Sequence, residues 1–278
     1  MDLGCHIDGY IAVAAHTLVV KESADAAEPP KDEELGKCAV AAYNAMLVAV
    51  SAISAGNSNS DVTAAVERVA KAYGVTPITS VRMHQMKRYV LDGVKEVALK
   101  APQPDDPEEE KVPPCKFEQA EVYAVDIAMS TGDGNARPGN ERTTIFKRNV
   151  EMQYMLRQKA ARGLLAEVDK KFPTLPFTMR HLSDVRTAKL GLTECIQNGL
   201  LTPYPSLHDY SGKVAHFKCT VLLLPSGTSR VTGLKLPEYF TTDVQPDEET
   251  QKTLTAIAEA EAKKAAKKAA KKKNKKKK

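Results

Sequence analysis

The chain opens with the stretch MDLGCHIDGYIAVAAHTLVV, residues 1–20. Gly9 lies within a short polar segment of the kind that forms turns. Strand-forming residues follow it at Ile11, at Val13 and along Leu18–Val20. Runs of such residues on either side of a glycine-containing turn are typical of a β-hairpin, so we predict a hairpin here.

Beyond the hairpin, the apolar pattern alternates between helical and strand spacing. A helix is predicted at 33–55, and a second at 62–73, where Ser60 or Asp61 could cap the first turn. Residues 152–199 return to a helical pattern around Pro173 and Pro176. Strands are predicted at 121–128, at 143–147 as part of a second hairpin, and at 214–224. This order indicates a helical module inserted between strands.

Length and composition limit the class of protein. The 278 residues are 42% hydrophobic, which is enough for a buried core. The chain has no run of 18 apolar residues and no basic segment ahead of an apolar one near its start, so we expect neither membrane insertion nor a secretory signal. Five scattered cysteines indicate reduced thiols rather than a disulfide framework.

The charge is divided unevenly along the chain. Residues 263–278 carry eleven lysines and no acid, and removing them from the net charge of +5 leaves −6 for the remainder. An acidic body with a dense basic tail indicates a polyanionic partner that the tail contacts. The alternative is a tail that serves solubility or nuclear targeting.

Five segments, in order along almost the whole chain, resemble one protein family: DLGCHIDGYIA at 2–12, EVYAVD at 121–126, RTTIFKR at 142–148, LPFTMR at 175–180 and FKCTVLL at 217–223. The family is that of the proliferation-associated, ErbB-receptor-binding proteins, which is similar to type 2 methionine aminopeptidase. The resemblance implies an α+β pita-bread fold over 1–245 with a helical insertion at 150–212. A lysine-rich tail, helical or disordered, would occupy 246–278. Because relatives carry about one more α/β half before Asp2, we expect that the N-terminal part is missing here.

The resemblance also implies a lost metal site. Type 2 methionine aminopeptidases hold two metals with two aspartates, a histidine and two glutamates, and the carboxylates keep the ions close enough to activate one water. Three of these positions match Asp2, His84 and Asp126, the last shortened from glutamate. The other two fall on Val13, in place of an aspartate, and on Lys218, in place of the bridging glutamate.

Lys218 is the more severe of the two changes. An ammonium about 4 Å from a dication would cost roughly 8 kcal/mol at an effective dielectric constant of about 20. We therefore expect Lys218 to replace the ions and to pair with Asp2 and Asp126. The outer catalytic histidine also corresponds to Asp92. These positions predict a protein with no catalytic residues, metal or cofactor, while an active metal-dependent aminopeptidase is the alternative.

The resemblance implies binding near the exit of the large ribosomal subunit, in the cytoplasm and in the nucleus or nucleolus. We predict a noncatalytic RNA- and ribosome-binding regulator of translation, ribosome biogenesis and growth, with ribosomal RNA as partner. Other RNA or signalling proteins are further partners, and a protein-interaction scaffold is a further alternative. The predicted RNA contacts are Lys263, Lys264, Lys267, Lys268, Lys271, Lys272, Lys273, Lys275, Lys276, Lys277 and Lys278. The possible ribosome contacts in the insertion are Arg157, Lys159, Arg162, Lys170 and Lys171.

Overall fold

The computed structural model describes residues 1–21, 23, 31–102 and 111–275, without the side chains of 261 and 264–275. It contains thirteen strands and five α-helices within these ranges. The strands are β1 (Asp2–Ile7), β2 (Tyr10–Ala15), β3 (Thr76–Pro77), β4 (Arg82–Met86), β5 (Glu96–Ala98), β6 (Val122–Ser130), β7 (Arg137–Pro138), β8 (Ile145–Arg148), β9 (Phe177–Thr178), β10 (Leu201–Tyr204), β11 (Leu207–His208), β12 (Val214–Leu224) and β13 (Gly227–Arg230). The helices are α1 (Glu33–Ala52), α2 (Asn59–Tyr73), α3 (Lys159–Lys171), α4 (Val185–Gln197) and α5 (Glu248–Lys275).

One antiparallel sheet of eight strands organises most of the molecule. Its order is β1-β2-β12-β6-β4-β5, with β13 beside β12 and β3 beside β6. The predicted N-terminal hairpin is confirmed, and its two-residue turn at Asp8 and Gly9 has positive φ at both positions (50° and 82°), as tight hairpin turns require. Residues 18–20 lie outside the strand, so the predicted extension of the hairpin to Val20 is wrong.

Helices α1 and α2 cover one face of this sheet. Side chains of a strand alternate between its two faces, so residues 123, 125, 127 and 129 of β6 and residues 215, 217, 219 and 221 of β12 all point towards the helices. They form the main core together with the alanine-rich side of α1, which is almost fully buried. The alternate residues of both strands, including Asp126 and Lys218, therefore lie on the opposite face.

The helix ends differ in detail from the predictions. Helix α1 begins at Glu33 as predicted and ends at Ala52, three residues before the predicted end. Helix α2 begins at Asn59, and its cap is Ser58 rather than Ser60 or Asp61. The Ser58 hydroxyl accepts from the Asp61 N–H, and the Asp61 carboxylate accepts from the Ser58 N–H, so the two residues form a capping box.

A second, smaller core lies within residues 145–204. Strands β8, β9 and β10 form a separate three-stranded sheet, and α3 and α4 pack against it as the predicted helices of the insertion. We call this unit the insertion module. The predicted local hairpin around 143–147 is wrong, because β8 pairs with β9 and β10, which come much later in the chain. Strand β7 pairs instead with β11.

Helix α5 begins the lysine-rich tail and packs against α1 at its first turns. Its backbone is helical through Lys275, while residues 276–278 and the side chains of 264–275 lie outside the described part of the structure. Helix α1 is the one described helix with the length and mean hydropathy, 1.4, that a membrane span requires. Because 56% of that segment is buried inside the fold, these properties also fit a core helix.

Candidate functional site

Four strands place a row of residues across the sheet, on the face opposite α1. Asp2 on β1 lies opposite Ala15 on β2, Ala15 lies opposite Lys218 on β12, and Lys218 lies opposite Asp126 on β6. Residues in register on one face of a sheet are neighbours. The fold therefore brings together three ionisable side chains that are far apart in sequence, at positions 2, 126 and 218.

Lys218 connects the two carboxylates. Its ammonium lies 2.8 Å from Oδ2 of Asp126 and 2.9 Å from Oδ2 of Asp2. The Lys218 and Asp126 side chains are 14% and 11% exposed, whereas Asp2 is 50% exposed. The pairing expected from the sequence is thus present, and the Lys218–Asp126 pair is the buried part of it.

His216 completes the group, and sequence reasoning did not identify it as part of the site. Its Nε2 donates to Oδ1 of Asp126 over 2.6 Å, so both oxygens of that carboxylate have a partner. Thr17 fixes the strand at this point, because its hydroxyl accepts from the His216 N–H and donates to the His216 carbonyl. The available signal was the spacing: His216 is two residues before Lys218 and therefore on the same face.

The electrostatics of the group favour its charged form. Burial alone raises the pKa of Asp126, but the hydrogen bond from His216 and the charge of Lys218 outweigh it, so the pKa is lowered. Burial likewise lowers the pKa of Lys218, and the charge and hydrogen bond of Asp126, followed by those of Asp2, reverse this and raise it. Lys218 is therefore held as an ammonium, which has no lone pair to donate to a metal.

The other predicted positions do not join the group. Val13 is buried in a small apolar cluster with Met86 and Ala124. His84 lies on β4 opposite Ala124, and its Nδ1 donates to the Leu91 carbonyl over 2.8 Å.

Asp92, at the position of the outer histidine, forms an ion pair with Lys147 of the insertion module. His84 and Asp92 thus contact other parts of the chain rather than Asp2, Lys218 or Asp126.

These residues do not fit a two-metal centre. An ammonium occupies the space between the two remaining carboxylates, and one ligand position is a buried valine. Within the described ranges, no group of three or more His, Cys, Asp and Glu side chains has an arrangement that could hold a metal ion. Both carboxylates pair with the Lys218 ammonium, so they are not free to bridge two metal ions.

The five predicted ribosome contacts all have exposed side chains on or next to α3. Arg162 donates to the carbonyls of Leu156 and Arg157, and Lys171 pairs with Glu167 over 2.5 Å. The side chains of Arg157, Lys159 and Lys170 make no polar contact within the described residues.

Among the predicted RNA contacts, Lys263 is exposed on α5 and has a long ion pair of 4.0 Å with Glu259. The side chains of the predicted contacts from Lys264 to Lys278 lie outside the described residues.

The chain was compared with family models, curated proteins and solved structures. No family model matches it, but curated proteins and solved structures do. The chain is 43% identical over 266 residues to ERBB-3 binding protein 1 of Solanum tuberosum, covering 95% of this chain and 66% of that protein. It is 38% identical over 244 residues to proliferation-associated protein A of Dictyostelium discoideum, covering 86% of this chain and 60% of that protein. It therefore spans about two thirds or less of the length of these curated relatives.

Among solved structures, that of a thermophilic Arx1 superposes with a TM-score of 0.77 at 26% identity, covering 91% of this chain and 72% of that one. This likeness, the antiparallel sheet and the helices on one of its faces confirm the predicted pita-bread fold. With the sequence identities, they establish that the chain belongs to the family of the proliferation-associated and ERBB-3-binding proteins.

Proposed function

We propose that this chain is a noncatalytic, ribosome-associated member of its family that binds RNA rather than cleaving peptides. The observation that carries the proposal is the position of Lys218, whose ammonium is paired with Asp126 and Asp2 where the resemblance implies metal ions. A fixed cation repels a dication, and it neutralises the carboxylates that would otherwise attract one. The surface of the fold is then available for binding without the reaction.

The basic tail supports RNA as the partner. Eleven lysines lie in residues 263–278, while the remaining residues carry a net charge of −6. Each lysine that contacts a phosphate releases condensed counterions, so a segment this rich in lysine can bind an RNA backbone without sequence preference. The ribosomal RNA of the large subunit, a role in translation, ribosome biogenesis and growth, and a location in cytoplasm and nucleolus are parts of this proposal. Signalling proteins are a further class of partner, because the potato relative is named for binding ERBB-3.

The first test separates binding from catalysis. Purified full-length chain is loaded with cobalt or manganese, dialysed and analysed for bound metal, and then assayed for methionine release from a short peptide. We expect neither stoichiometric metal nor methionine release. Metal at a stoichiometry of one or two together with turnover would instead establish an aminopeptidase.

The second test concerns the tail. RNA affinity is measured across a series of salt concentrations for the full chain, for a variant lacking residues 263–278, and for two variants with all eleven tail lysines changed to glutamine or to arginine. Each lost phosphate contact should reduce the slope of log affinity against log salt by about 0.7 for single-stranded RNA. The deletion and glutamine variants should lose affinity and slope, while the arginine variant keeps both. Equal affinities and slopes in all four proteins would refute the tail contacts, and absence of RNA binding in all four would favour a protein-interaction scaffold.

A further inference from the structure

A cavity of about 260 Å³ lies at the edge of the insertion module, between the first turns of α4, residues 142–144 ahead of β8, and residues 178–180 at the end of β9. Its mouth carries three exposed basic side chains, those of Arg142, Arg180 and Lys189. The hydroxyl-bearing residues Thr143, Thr144 and Thr178 line the same cavity, and no acidic residue does. The polar lining therefore consists of hydrogen-bond donors and hydroxyl groups, which suits an anion.

The three basic side chains lack the internal counter-ions that neighbouring cations have. In the same module, Lys147 pairs with Asp92, Arg148 with Asp169 over 2.9 Å, and Lys171 with Glu167. Within the described residues, by contrast, no carboxylate pairs with the three cations of the cavity.

Among the described residues, the one polar contact of the Arg180 side chain is the hydrogen bond that its Nε donates to the hydroxyl of Thr178, over 3.3 Å. Like charges gathered without a partner repel one another, so an external anion would relieve this repulsion.

The chemistry and size of the cavity narrow the choice of anion. Arginine offers a planar fork of donors that matches phosphate, and lysine adds a point charge. Pockets for drug-sized ligands measure roughly 300–1,000 Å³, so a cavity of about 260 Å³ suits one charged group and part of its carrier rather than a whole nucleotide. Met179, Val185 and Leu192 supply an apolar wall against which a sugar could pack.

We propose that this cavity binds one backbone phosphate of RNA, held by Arg142, Arg180 and Lys189. This inference rests on the proposed function, because it assigns a second, discrete phosphate contact to the protein whose tail makes the first. A diester is favoured over a phosphorylated peptide because RNA presents phosphates in series. One segment of backbone can then occupy the cavity while others meet the tail.

The test uses full-length protein and single-stranded poly(U), with filter binding measured across a series of potassium chloride concentrations. Lys189→Gln is compared with Lys235→Gln, an identical change at an exposed lysine outside the module. Lys189→Gln should reduce the salt slope by about 0.7, and the Arg142→Gln/Arg180→Gln variant by about 1.4. Lys235→Gln should leave the salt slope unchanged. Lys189→Arg should keep the wild-type slope, because it keeps the positive charge.

Three outcomes would overturn the inference in different ways. Equal slopes for Lys189→Gln and Lys235→Gln, with poly(U) still bound, would refute the proposed cavity contact and leave the proposed role of the tail standing. Failure of the wild-type chain to bind poly(U) would refute both proposals. A phosphoserine peptide whose binding Lys189→Gln abolishes, with the poly(U) slope unchanged, would identify the cavity as a phosphopeptide site.

Discussion

Replacing Lys218 with methionine should destabilise the fold, because it leaves the buried carboxylate of Asp126 without its cation. At a separation of 2.8 Å, the attraction between the two charges is about 6 kcal/mol at an effective dielectric constant of about 20. The cost of desolvating both groups offsets much of this attraction, so the pair itself adds little net stability. Removing Lys218 leaves the desolvation cost of Asp126 without compensation, so we expect the free energy of unfolding to fall by about 3–5 kcal/mol.

The contribution of Asp2 to this loss should be small. Its side chain is 50% exposed, and an ion pair that is open to solvent contributes roughly 0–1 kcal/mol. Lys213→Met provides a matched control, since Lys213 pairs with Asp32 over 2.7 Å and both side chains are about as exposed as Asp2. The control should therefore lose much less stability than Lys218→Met.

The assay is urea unfolding followed by far-ultraviolet circular dichroism at several pH values. The loss in Lys218→Met should shrink as the pH falls from 7 towards 4, because a protonated Asp126 no longer needs a cation. Adding Asp126→Leu to Lys218→Met should recover most of the stability, since it replaces an unpaired charge with an apolar side chain. If Lys218→Met and Lys213→Met lose the same free energy, or if the double variant is less stable than Lys218→Met, the reasoning is refuted.

Three further predictions concern the pH dependence of the same ion pair and two glycines of the insertion module. In the wild-type chain, the lowered pKa of Asp126 gives stability that is present above about pH 4 and lost as the carboxyl protonates. The raised pKa of Lys218 gives stability that is present below about pH 10.5 and lost above it, so urea midpoints should fall at both extremes. Gly191→Ala should destabilise by about 1–3 kcal/mol, because its Cβ would lie 2.4 Å from the backbone nitrogen of Ala161 on α3. Gly163→Ala, with open space around it on α3, should stabilise by about 0.5–1 kcal/mol in the same urea unfolding assay.

Local features of the sequence were sufficient for the hairpin and for most helices. Asp8 and Gly9 join strands that are adjacent in sequence, so turn chemistry determines the pairing. The second predicted hairpin failed because turn residues around 131–140 suggested a local partner for β8. The strand instead pairs with β10 across more than fifty residues, and side chains such as Phe146, Leu164 and Leu200 build a core that only the folded module brings together.

The candidate site, like the fold, was only partly predictable from the sequence. The expectation of a cation at Lys218, paired with two carboxylates, depended on the resemblance to type 2 methionine aminopeptidase, because the residues are too far apart in sequence to form a recognisable motif. The role of His216 depends on the register of β12 against β6, which places it beside Asp126 across 90 residues of sequence. The cavity at Arg142 and Lys189 depends on the docking of α4 against β9, which no sequence spacing reveals.

The two departures from the metal-binding pattern compensate each other in charge. Val13 removes one carboxylate and packs with Met86 and Ala124, and Lys218 then neutralises the buried carboxylate that remains. Either change alone would be unfavourable: an ammonium among three acids would compete with the ions, and a valine alone would leave the acids short of a ligand. Together they give a sheet face whose one deeply buried acid has a partner on each oxygen.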